Sequence, residues 1–68
     1  MTIKDLIDVL PVASKIWINV YHEEDDGKLT FIRHITHIAT DDSSDYDMLY
    51  IYRILPEGID LLEVMALD

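Results

Sequence analysis

The spacing of hydrophobic residues changes twice along this chain, and each change marks a different element. Ile3, Leu6, Ile7 and Leu10 recur at i, i+3, i+4 and i+7, positions that share one stripe of a helix. Thr2 precedes the stripe and Asp5 stands three residues on. That pair predicts a capping box, in which each side chain satisfies the other residue's backbone N–H. Asp5 also suits the positive end of the helix dipole. Pro11 disfavours helical geometry at Leu10, so the pattern predicts a helix over 3–10.

From residue 15 to residue 22 the period is two. Ile16, Ile18 and Val20 face one way, and Lys15, Trp17, Asn19 and Tyr21 face the other; this is the signature of a half-buried strand. Trp17 and Tyr21 put aromatic area on the more polar side. Residues 23–27 read as a turn, because Asp26-Gly27 is a strong hairpin signal. A second strand is predicted over 28–33, with Leu29 and Phe31 on one face. From His34 to Thr40 the pattern blurs: Ile32, Ile35 and Ile38 recur every three residues, which predicts a strand continuing through a bulge. Residues 41–47 form a polar loop. A third strand is predicted over 48–55, Pro56-Glu57-Gly58 as a tight turn, and a fourth strand over 59–66 in preference to a helix, since so short a connection pairs neighbours as a hairpin.

The predicted fold is therefore α+β: one short N-terminal helix packed on a small antiparallel sheet of about four strands, arranged as two hairpins. A chain of 68 residues fits a single domain, 1–68. A domain of this size buries only about 60% of the surface its unfolded chain exposes, so the core is thin and has no room for an enclosed cofactor pocket. With no cysteine, disulfides and thiolate zinc sites are excluded. No apolar run approaches the roughly 20 residues that span a bilayer, and the first residues do not read as a signal peptide. The expected location is the cytoplasm.

Charge changes this picture most. Fourteen acidic residues face five basic ones, giving a net charge of −9, beyond the magnitude of about 2–8 that solubility asks of a small domain. Phosphates reward Lys and Arg, so direct binding to nucleic acid or to an anionic membrane is not expected. The sign favours a basic partner, of which nucleic-acid-binding proteins are the commonest kind. Eight acids fall in two runs that contain no Lys or Arg: Glu23, Glu24, Asp25 and Asp26 in the first, and Asp41, Asp42, Asp45 and Asp47 in the second. One reading is a pair of solvated loops. The other is an array that meets Lys and Arg as phosphates do and steers encounter. Tyr46 lies inside the second run and is the candidate for an added stacking or packing contact. Trp17, Tyr21, Tyr50 and Tyr52 either pack across strands or belong to a contact surface.

Other chemistry finds little support. Residues 24–27 hold contiguous acids followed by Gly27, without the alternating oxygen ligands of a calcium loop. His34 and His37 lack the spacing and the glutamate of helical zinc sites, and His22, His34 and His37 read as surface or half-buried strand residues. Ser43 and Ser44 sit among carboxylates, which supply no oxyanion stabilisation. Two glycines cannot build a phosphate cradle. The chain is expected to have no catalytic residue, no cofactor and no metal.

The opening Ile3-Lys4-Asp5-Leu6-Ile7-Asp8-Val9-Leu10, with the following Lys15-Ile16-Trp17-Ile18-Asn19-Val20, resembles the start of short phage and prophage proteins, which are small, acidic and helix-then-sheet. In size and charge the chain is similar to phage-encoded anti-restriction and anti-CRISPR inhibitors, several of which mimic DNA. The resemblance implies an inhibitor of a basic host defence protein such as a CRISPR nuclease, with the two acidic runs standing in for phosphates. The alternative is a structural or adaptor module that binds a protein, or a second copy of itself as a dimer, through a sheet edge or the aromatic face of Trp17 and Tyr21.

Overall fold

A computed structural model of the chain describes residues 1–10, 15–38 and 41–68. Helix α1 spans Ile3–Val9. Four strands follow: β1 (Lys15–Glu23), β2 (Leu29–Ile38), β3 (Tyr50–Gly58) and β4 (Leu61–Leu67). The capping box forms as the sequence predicts: the Thr2 hydroxyl accepts from the Asp5 N–H, and the Asp5 carboxylate accepts from the Thr2 N–H at 2.9 Å. The helix is one residue shorter than expected, with Leu10 as its C-cap in extended geometry. Pro11, read as its stop, and residues 39–40 of the blurred segment lie outside the described residues.

The fold is α+β, but the sheet is mixed rather than antiparallel throughout. Its order is β2-β1-β4-β3. β1 pairs antiparallel with β2, β3 pairs antiparallel with β4, and the two central strands, β1 and β4, run parallel. The segment between β2 and β3 explains the difference. β2 ends at Ile38, opposite Lys15, whereas β3 begins at Tyr50, opposite Leu67, and Leu67 pairs with Tyr21 at the far end of β1. Residues 41–49 therefore cross from one end of the sheet to the other. A short connection would have set β3 beside β2 as an antiparallel neighbour; the crossing sends β3 to the opposite side of the sheet.

Register fixes the faces. Ile16, Ile18 and Val20 of β1 lie opposite Leu62, Val64 and Ala66 of β4. Together with Ile3 and Leu6 of α1 and Tyr46 they form the core. This inner face is covered by α1 and by the crossing segment. At its start the chain also joins the sheet margin: Thr2 bridges Tyr50, and the Ile51 N–H donates to the Met1 carbonyl at 2.9 Å.

Three strand details depart from the periodicity. The bulge lies where Val20 pairs with Arg33 and Tyr21 with Phe31, which leaves Ile32 as the extra residue. A second irregularity between Ile51 and Arg53 leaves Tyr52 extra and ends the predicted alternation of β3. Pro56, Glu57 and Gly58 belong to β3 instead of a turn, which falls at Ile59 and Asp60. A proline without an N–H is tolerated there because β3 is an edge strand.

Candidate functional site

The first acidic run closes the β1–β2 hairpin. Glu23 ends β1, and Glu24, Asp25 and Asp26 form the turn with Gly27, whose φ of 86° is the left-handed geometry that glycine takes without cost. The turn uses part of its own charge. The Asp26 carboxylate accepts from the Lys28 N–H at 3.0 Å and lies 4.0 Å from the Lys28 ammonium, and Glu24 accepts from the Thr30 hydroxyl at 3.1 Å. All four acids are exposed.

The second run starts at the opposite end of β2. The Asp41 N–H donates to the Ile38 carbonyl at 2.9 Å, and the Asp41 carboxylate accepts from the Ile38 N–H at 3.0 Å. Asp42 accepts from the Ser44 N–H at 3.0 Å, which holds its carboxyl below the usual range. Asp45 is exposed, and Asp47 is half-buried, with its carbonyl accepting from the Lys4 N–H at 2.8 Å. β2 has ten residues, so at about 3.3 Å per residue Asp41, where the second run starts, stands roughly 30 Å from the β1–β2 turn; the rest of that run belongs to the crossing segment, with Tyr46 in the core and Asp47 bonded to α1. They are two separate points, not one continuous acidic face, and Arg33 and His34 lie on the strand between them.

Tyr46 is a correction. Its ring is only 8% exposed and belongs to the core. Its hydroxyl shares a 2.6 Å hydrogen bond with Nδ1 of His37, and the two rings meet edge-on. A buried ring cannot stack on a partner; Tyr46 anchors the crossing segment to the sheet. Burial, and then the negative charges of Asp41, Asp42 and Asp45, push its phenol above the ordinary value. His37 is likewise buried, at 4% exposure, and not the surface or half-buried residue that strand position suggests. Its side chain lies on the inner face, opposite Ile16. His34 bonds Asn19 at 2.8 Å and Thr36 at 3.2 Å on the other face, while His22 is exposed. The three histidines do not converge, and no group of three or more His, Asp or Glu among the described residues is placed to hold a metal ion.

Charge compensation is sparse. Among the described residues there are two ion pairs, Lys4–Asp8 at 3.6 Å and Lys28–Asp26 at 4.0 Å, both exposed. The negative excess is therefore not cancelled within the fold. No helix among the described residues is long and apolar enough to cross a membrane. Compared with known protein families, curated proteins and solved structures, the chain matches none.

Proposed function

We propose that this chain acts by binding, not by catalysis, and that its partner is a basic protein whose Lys and Arg residues normally meet nucleic acid. The observation that carries the reading is uncompensated charge: fourteen acids, a net charge of −9, and only two exposed ion pairs among the described residues. Such an excess destabilises the compact state by self-repulsion, so a fold that keeps it gains from a cationic surface elsewhere. Glu23, Glu24, Asp25 and Asp26 form one docking point, and Asp41, Asp42, Asp45 and Asp47 form the other. Occupying a nucleic-acid-binding surface from two points inhibits it by exclusion, as the likeness in size and charge to phage-encoded inhibitors suggests. Because the first run sits on the β1–β2 turn and the second on the crossing segment, the contact is at two points and not along a continuous phosphate track. This reading places the chain in a cell's cytoplasm, with no cofactor.

The test is capture from a bacterial lysate on the immobilised chain at salt concentrations of about 50 and 200 mM, with bound proteins identified. Electrostatic contacts weaken steeply across that range. The expected result is a set of basic nucleic-acid-binding proteins, lost at high salt and lost when Asp25, Asp26, Asp41 and Asp42 are all changed to Lys. Equal capture by the wild-type and charge-reversed chains contradicts the proposal.

A further inference from the structure

Among the described residues nothing covers the side of the sheet away from α1, and its chemistry is unusual for a face open to water. Outward positions of a one-sided sheet are ordinarily polar. Here register places Phe31, Tyr21, Leu67 and Tyr50 in one row across the four strands, with Trp17, opposite Glu63, and Met65, opposite Arg53, on the same face. None of the six belongs to the core or packs against it. Trp17, Phe31 and Tyr50 are 36, 55 and 65% exposed. Tyr21 and Phe31 pack edge-on at 5.6 Å, and Trp17 meets His34 at 6.5 Å. These contacts pre-order the rings without covering them. A contiguous exposed patch of this kind marks an interaction site, and ordered aromatic side chains are the usual anchors of one.

The surroundings of the patch specify its occupant. At one end of the strands stand residues 23–26 and Asp68, whose N–H donates to the Tyr21 carbonyl at 2.8 Å. At the other end stand Glu57, Asp60 and Asp41; Asp60 is fixed beside β1 by the Lys15 N–H on its carbonyl at 2.8 Å. The apolar row thus lies beside the first acidic run, with carboxylates and Lys15 at the far end; an apolar contact beside a charged rim is the arrangement of an interface. A second copy is a poor match: stacking two such faces with strands aligned sets acid against acid at both ends, between chains of −9 each. We propose that this outer face is the contact surface, and that its occupant is a protein presenting an apolar patch flanked by Lys and Arg. The inference rests on the binding reading above and deepens it: the first acidic run and Asp41, where the second run leaves β2, join the rim, and Trp17, Tyr21 and Phe31 become the apolar contact.

The test uses two synthetic probes on the isotope-labelled full chain, followed by NMR shift perturbation at low salt. One probe is oligolysine, which offers charge alone. The other is a peptide of alternating Leu and Lys, which offers both chemistries. Oligolysine is expected to perturb the acidic ends only, and the Leu-Lys peptide both the ends and the strand residues around Trp17, Phe31 and Met65. Trp17→Ser combined with Phe31→Ser, both on the uncovered face, is expected to leave the fold's NMR pattern intact and weaken the Leu-Lys peptide at least about tenfold. If the Leu-Lys peptide perturbs only the acidic ends, the face proposal is overturned while the electrostatic reading stands. If neither probe binds at low salt, the electrostatic reading itself fails. A chain that sediments as a dimer through this face overturns the choice of occupant.

Discussion

Replacing Tyr46 by Phe isolates the contact that holds the crossing segment to the sheet. The ring and its packing are kept, so no cavity forms, and the loss is confined to the hydroxyl that lies 2.6 Å from His37 Nδ1. Both side chains are nearly out of water, at 8 and 4% exposure, so the imidazole nitrogen is left without its partner in a dry setting. Leaving a buried polar group unpaired costs about 1–3 kcal/mol. A domain of 68 residues has roughly 3–10 kcal/mol of stability in all, at about 0.05–0.15 per residue. The substitution therefore removes a substantial fraction of the total and lowers the melting temperature by about 4–8 °C per kcal/mol lost. Urea unfolding followed by circular dichroism measures it, with His37→Ala and the double variant completing a cycle whose coupling is expected to exceed about 0.5 kcal/mol. A Tyr46→Phe chain as stable as wild type, with zero coupling to His37, refutes the claim that this pair docks the segment. The same residue predicts an alkaline limit. Its phenol is raised above 10.0 by burial and by Asp41, Asp42 and Asp45, so the folded chain holds that proton more tightly than the unfolded one. The contribution is complete below the unfolded value and is lost as pH rises through the folded one. Tyr46→Phe should flatten that part of the stability curve.

Ile18 is fully buried in the middle of β1, and Ile18→Ala should cost about 2–5 kcal/mol, enough to unfold much of the population in a thermal melt. Thr2→Ala removes the helix N-cap and should cost about 1 kcal/mol by denaturant midpoint. Asp5 is held below 3.8, first by the Thr2 N–H it accepts; its contribution is present above the unfolded value and lost as pH falls through the folded one, and Asp5→Asn should remove that acid sensitivity. Gly27→Ala meets no neighbouring atom but forces φ of 86° on an alanine, so it should destabilise by about 1 kcal/mol, and an unchanged midpoint contradicts the assigned turn.

Local chemistry is what the sequence makes legible. The Thr2–Asp5 capping box, the Asp26-Gly27 turn and the alternation of Ile16, Ile18 and Val20 act between residues close in the chain, and the structure has each of them. The parallel pairing of β1 with β4 was hidden, because alternation reports which residues share a face and is silent on which strand lies beside which. The clue lay in the acidic segment itself: Tyr46 is an aromatic residue in a polar loop, and the loop is long enough to cross the sheet. Reading Tyr46 as a surface aromatic followed from counting only its charged neighbours. His37 shares its parity with Ile35 on β2, a sign that it points inward, but a bulge upstream blurred the count. The acidic points were visible as runs, whereas their placement, one on the β1–β2 turn and the other leaving the far end of β2 over the inner face, follows from register and topology. The uncovered aromatic face was visible as parity at Trp17 and Tyr21; its extension across Phe31, Met65 and Tyr50 needs the strand order.

One measurement reaches the proposed electrostatic binding most directly: the affinity for a captured basic protein across a range of salt, for the wild-type chain and for one with Asp25, Asp26, Asp41 and Asp42 changed to Asn. The predicted result is log affinity falling steadily with log salt for the wild type, with a clearly shallower slope and weaker binding for the neutralised chain. Identical slopes and affinities for the two chains contradict it.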